Sequence, residues 1–278
     1  MSFDLSTSRA ALVIAHPGHE LRVYHWLRLT RPLCFVLTDG SGSSGKSRLD
    51  STTELLQQNA VRIGSIYGRL TDVEIYSAII NLEFERFVDL TAELAQELVR
   101  EQIDYVVGDA IEGYNPAHDV CRSMINAAVA IAKRQLDKPV LNFEISLTTQ
   151  SDKLRERTDG EVWLDLDEAS LLKKLKAAQA YPGMAAEVER ILSEEGMLSL
   201  QTERLRPVSY TTRDGFAETP HYEIHGAKQV EAGRYRQVLR YNEHVRPLEE
   251  ALRRYSESTG GLPYSVSNAN HPVQADTI

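Results

Sequence analysis

The feature that most constrains this chain is an alternation. Short, mainly apolar runs at 11–15, 33–38, 105–108 and 139–143 are separated by longer segments whose apolar residues recur at helical spacing. Apolar runs without a polar alternation read as strands buried on both faces. Between them, Phe84, Phe87, Val88, Thr91, Leu94, Ala95 and Leu98 mark one long helix, and Val120, Met124, Ala128 and Ile131 mark another from about 117 to 136. A helix is also expected at 21–29, and Ser51-x-x-Glu54 reads as a capping box for one running to 60. Only weak signals for a short strand and turns occupy 63–81. Strands alternating with helices predict an α/β fold, Rossmann-like, with a mostly parallel sheet covered on both faces.

Residues 1–150 read as this core. Residues 151–278 read as its completion, with helices at 171–180 and 185–192, a polar cap-like loop at 210–230, a helix at 235–255 broken at Pro247, and a flexible tail rich in Ser, Gly, Asn and Pro. The two cysteines provide no disulfide framework, so packing must hold the fold. The net charge of −9 argues against nucleic acid or an anionic membrane as partner. No run approaches the ~18 to 20 apolar residues of a membrane helix, and the N-terminus shows no signal pattern. The expectation is a cytoplasmic enzyme or binder of small molecules.

Ligands of open α/β sheets sit beyond the carboxyl ends of the strands. That rule points to 16–20, 39–48 and 109–119. His16 and His19 follow the first strand directly, and His118 opens the helix after the third. Three neutral imidazoles suit zinc and leave a fourth position for water, whose pKa the ion lowers toward ~7. The same spacing also fits three unrelated loop histidines.

A resemblance bears on that choice. Ala15-His-Pro-Gly-His-Glu20 resembles the A-H-P-D-D-E motif of the PIG-L/LmbE-like deacetylases. Thr38-Asp-Gly40 with the later Arg48 and Glu54 resembles the family's second loop, and Asn115-Pro-Ala-His118 its H-P-D-H. Trp163-Leu-Asp-Leu-Asp167, with the segment 173–180 after it, resembles a late strand and helix, and Tyr181 stands where the family has a histidine. The resemblance covers roughly residues 9 to 210. It implies a zinc or other divalent metal held by His16, His19 and His118, and hydrolysis of an N-acyl bond on a small sugar-like molecule such as an N-acetylated amino sugar. A homo-oligomer is left open.

The chain departs from the family at its reactive positions. The general base falls on Gly18, a ligand aspartate on His19, and the H-P-D-H histidine and aspartate on Asn115 and Ala117. Glu112 is the first candidate for moving the proton, with Glu20 second. Asp119 is a candidate for orienting a histidine, and Asn115 for stabilising an oxyanion. Asp39, Arg48, Tyr114 and His225 are the substrate-binding candidates, with His221 or His225 on a loop that closes over the site. Two other readings stand beside this one. The first is a non-catalytic metal-binding member that has lost its base. The second is nucleotide binding through Gly40–Ser47, which fits G-x-x-x-x-G-K-[ST] after a strand.

Overall fold

The computed structural model describes residues 4–258 apart from 6, 43–44, 148–156, 158, 183, 185–188, 191, 194–199 and 209–215. Seven strands form one sheet: β1 (Ala10–Ile14), β2 (Leu33–Thr38), β3 (Arg62–Leu70), β4 (Tyr105–Asp109), β5 (Leu141–Ile145), β6 (Val162–Asp165) and β7 (Thr202–Pro207). Their order is β3-β2-β1-β4-β5-β7-β6. The first five in that order run parallel, with Leu12 opposite both Cys34 and Val107. β7 runs antiparallel to β5 and β6 to β7. This is a Rossmann-like α/β fold, as expected. The chain order reverses between β1 and β4, so the loops after those two strands flank the crevice where such sheets bind ligands.

β1, β2 and β4 are buried along their whole length. One face packs Val13, Phe35 and Val106 against α4 (Phe84–Arg100) and α5 (Pro116–Leu136), through Leu94, Leu98, Met124 and Ile125. The other packs Leu12, Val36 and Val107 against Trp26 and Leu27 of α1 (Tyr24–Thr30) and Leu55 and Leu56 of α2 (Leu49–Gln58). Gly108 is where backbones come closest, since a Cβ there would lie 2.5 Å from the Val13 carbonyl oxygen. The buried Arg122 guanidinium ties β4 to β5, donating to the carbonyls of Asp109 (2.5 Å) and Phe143 (3.1 Å) and to Asn142 Oδ1 (2.9 Å).

Several elements differ from expectation. The helix expected at 21–29 is a 3-10 turn at His19–Val23 followed by α1. Helix α2 begins at Leu49 and Ser51 lies inside it, so the expected Ser51 cap does not form. The weak stretch 63–81 holds a nine-residue strand, β3, and α3 (Asp72–Ile80), closed by a capping box between Thr71 and Glu74. After α6 (Glu168–Ala180), the cap-like loop instead contains α7 (His221–Glu231), while 209–215 lie outside the described residues. Pro247 breaks no helix. It is the second residue of α8 (Arg246–Ser258), where a missing N–H costs nothing, and a π-helical turn at Tyr241–Val245 precedes it. The tail and most of the helix expected at 185–192 lie outside the described residues. Among the described residues no helix is long and apolar enough to cross a membrane.

On α8, the half-buried Glu249 accepts a hydrogen bond from Tyr241 Oη (2.9 Å). Burial is the largest influence on its carboxyl and pushes it up to about 7. An acid raised in the folded state holds its proton more tightly there than in the unfolded chain. Stability therefore falls as pH rises from the ordinary glutamate range through about 7. Glu249→Gln should stabilise the protein by about 1–2 kcal/mol at pH 8 and have little effect at pH 5. Urea denaturation at both pH values checks this, and an equal effect at both would refute it.

Candidate metal centre

β1 runs straight into the turn 16–19. Gly18 adopts φ +107°, a conformation that favours glycine, and Leu21 N donates to its carbonyl (3.2 Å). The turn brings the His16 and His19 rings to 5.4 Å, centre to centre. His118 arrives from the first turn of α5, which Asn115 caps by accepting from Ala117 N (2.9 Å), with Pro116 as first residue. Its ring lies 5.0 Å from that of His16 and 4.7 Å from that of His19. Three imidazoles held tetrahedrally at about 2.0–2.1 Å from zinc would have ring centres roughly 5 Å apart.

The hydrogen bonds around the rings favour the same use. His16 Nδ1 lies 3.0 Å from Asp72 Oδ1 and 2.7 Å from Thr38 Oγ1. His19 Nδ1 lies 2.9 Å from Asp109 Oδ2, which also accepts from Ala15 N (2.7 Å). A carboxylate can only accept, so it keeps the proton on Nδ1 and leaves Nε2 unprotonated, as in metal-bound histidines. His118 Nδ1 is buried with no partner among the described residues, and so is Asp109 Oδ1. Among the described residues no three His, Cys, Asp or Glu side chains form a ready-made ligand set. What the three rings share is position, and turning a ring about its own bond redirects its nitrogens while its centre moves little.

Burial lowers the pKa of His16, and lowers that of His118 still further with help from the His19 and His16 charges. Both are thereby kept neutral, as ligation requires. Burial alone would raise Asp109, but the His19 charge and hydrogen bond outweigh it and hold the carboxyl at about 2. Asp72 is likewise depressed, burial being outweighed by the hydrogen bond and charge of His16.

A cavity of about 910 Å³ opens beside this cluster, lined by Gly18, His19, Glu112, Tyr114, His118, Met184 and the segment 216–221. Glu112 is held at both ends. Ser146 Oγ donates to Oε1 (2.6 Å), Leu147 N donates to Oε2 (3.1 Å), and its own N–H donates to Asp119 Oδ1 (3.2 Å). Asp119 is fully buried and supports the Glu112–Gly113 backbone; it does not line the cavity. Glu20 is also fully buried, and both its oxygens are engaged, with Gly18 N (2.7 Å) and Thr52 Oγ1 (2.8 Å). It braces the histidine turn from behind. Asn115 Oδ1 also accepts from Tyr76 Oη (3.1 Å), and its Nδ2 lies 3.4 Å from His16 Nε2.

Asp39 and Arg48 stand off the cavity wall. Asp39 Oδ1 accepts from Ser41 N, and Arg48 Nε donates to Gly40 O (2.7 Å). His225 does not line the cavity either, whereas His221 does, with its ring stacked on Tyr114 at 4.7 Å. His221 was legible as the first residue after Pro220, where a helix can begin. Met184 carried no sequence signal for this site, and Asp72 only the capping box, Thr71-x-x-Glu74, of the helix it begins. The described part of the 40–47 loop is not built as the phosphate cradle of a nucleotide site. α2 starts only at Leu49, and the Ser41 and Gly42 amides are taken by Asp39 and Asp72.

No family model matches the chain, and no curated protein matches it. Several solved structures resemble it, three of which follow. A deacetylase of the A40926 pseudoaglycone is 15% identical over 72% of this chain and 96% of its own, with a TM-score of 0.47. The zinc-inhibited form of a teicoplanin deacetylase is 13% identical over 73% and 100%, with a TM-score of 0.45. A conserved protein of Thermus thermophilus is 16% identical over 76% and 100%, with a TM-score of 0.43. At such distances the chemistry of this site has to be read from its own residues.

Proposed function

We propose that this chain is a metal-dependent hydrolase that removes an acyl group from an amine on a small, sugar-like molecule in the cytoplasm. The observation that carries the reading is the meeting of three imidazoles at the point where the sheet order reverses, two of them with Nδ1 against a buried carboxylate. His16, His19 and His118 would hold the ion, zinc in the first instance. When bound, it would polarise the acyl oxygen and lower the pKa of water nearby.

The chain's own groups supply the rest. Glu112 faces the cavity with its carboxylate fixed by Ser146 and Leu147 N. It takes a proton from the attacking water and returns it to the leaving amine. Tyr114, on the cavity wall, offers a hydrogen-bond donor to the acyl oxygen as charge develops there, while Asn115 caps α5 beside His16. His221, stacked on Tyr114, closes the outer wall against the substrate.

Elemental analysis of the purified protein should find about one ion per chain, lost in His16→Ala and His118→Ala. Glu112→Gln should keep the ion and lower kcat on N-acetylated amino sugars by about 10²–10⁴-fold. An unchanged rate would remove Glu112 from the mechanism, and no ion even after zinc addition would end the hydrolase reading. Gly18 favours a second reading, a metal-holding protein without turnover, because no side chain stands there to move a proton. Hydrolysis of any acylated amine decides against it.

A further inference from the structure

We propose that the thioether of Met184 is a fourth donor at the three-imidazole centre and that the centre therefore binds copper(I) as a resident or competing ion. The inference rests on the reading of His16, His19 and His118 as metal-holding, and it concerns which ion they hold.

The argument begins with Gly18. It lies within the turn that carries two of the three imidazoles, and its side-chain position is already filled. A Cβ built there would lie 3.2 Å from Met184 Sδ and 3.4 Å from Met184 Cγ. The sulfur thus sits over the bare backbone between His16 and His19, and any larger residue at 18 would displace it. Two contacts hold it in place: Met184 N donates to Tyr181 O (2.9 Å), and Arg48 Nη1 lies 3.8 Å from Sδ. Met184, Gly18, His19 and His118 line one cavity.

The donor chemistry points the same way. Asp72 and Asp109 each turn one oxygen to the Nδ1 atom of His16 or His19, away from Nε2, so an ion held at the Nε2 atoms would meet imidazole and thioether first. Oxygen donors suit magnesium, calcium and manganese, imidazole suits zinc and copper, and a thioether selects copper(I). Among the described residues the other sulfurs, Cys34, Cys121 and Met124, are buried in the core, so Met184 is the one that can meet an ion in the cavity.

The test is anaerobic titration of the full chain with copper(I) against bicinchoninate, and with zinc against a chromophoric chelator. Wild type is compared with Met184→Leu and His118→Ala. Leucine nearly preserves the volume of methionine, so the fold should survive, which circular dichroism checks. The expected result is one copper(I) per chain, weakened roughly tenfold or more in Met184→Leu, with zinc affinity nearly unchanged and both ions lost in His118→Ala. X-ray absorption of the copper(I) form should show a sulfur scatterer that Met184→Leu lacks. Equal copper(I) affinity in wild type and Met184→Leu, or no sulfur scatterer, overturns the proposal. If zinc then still binds and acylated amines are hydrolysed, the hydrolase reading stands without it. Copper(I) held through sulfur, with no zinc bound and no turnover, supports the proposal and overturns the zinc hydrolase.

Discussion

Asp109→Ala should lower metal affinity by about 10- to 100-fold and destabilise the metal-free protein by about 2–4 kcal/mol. Both losses come from one oxygen. Asp109 Oδ2 accepts from Ala15 N and faces His19 Nδ1, so it joins the end of β1 to the imidazole four residues later. Without it, a buried backbone N–H loses its acceptor, and the His19 proton is free to move to Nε2, where it blocks ligation. Asp109→Asn separates the two effects. An amide oxygen can still serve Ala15 N, so stability should fall less, but the negative charge that favours the ligating tautomer is gone. Urea denaturation of the metal-free proteins and zinc titration measure the two quantities. Wild-type zinc affinity in Asp109→Ala would show that the orientation of His19 does not depend on this carboxylate.

A comparable loss is expected on the opposite side of the sheet. Glu203 on β7 is completely buried, and its oxygens accept from His25 N, Trp26 N and Lys174 Nζ, each at 2.8 Å. It caps the start of α1 from 177 residues away in sequence and neutralises an ammonium that is itself buried. Burial lowers the pKa of Lys174, and the charge of Glu203 opposes that. Glu203→Ala leaves two helix amides without their acceptor and the buried cation with only the Arg22 carbonyl, and should cost about 3–5 kcal/mol. The double variant Glu203→Gln with Lys174→Met should recover much of this, because it removes the uncompensated charge as well. Denaturation midpoints of the three proteins check it. A loss below about 1 kcal/mol in Glu203→Ala would mean that water reaches Lys174 and solvates it.

What was legible beforehand follows from burial. β1, β2 and β4 are covered on both faces, so their sequences are nearly continuous apolar runs. β3 lies at a sheet edge and carries Arg62, Gly64, Ser65, Gly68 and Arg69 in a mixed pattern of exposed and buried positions, and a run like that does not announce a strand. α3 was announced, by Thr71-x-x-Glu74, and overlooking it hid Asp72. The three histidines could be gathered from the order of elements alone. The partners that orient them could not, since the His16–Asp72 and His19–Asp109 pairs span 56 and 90 residues and depend on the packing of separate elements. Glu20 shows the converse. Its place beside His19 suggested chemistry, but a local turn sent its side chain into the core toward Thr52.

The bracing of the histidines has a consequence for how such a site changes over time. Asp72 comes from α3 and Asp109 from β4, so the groups that face the His16 and His19 rings lie outside the turn that carries those rings. A change within that turn leaves both carboxylates where their own elements hold them. The two rings and the groups that face them are encoded in different stretches of the chain, and each stretch can drift without dismantling the other.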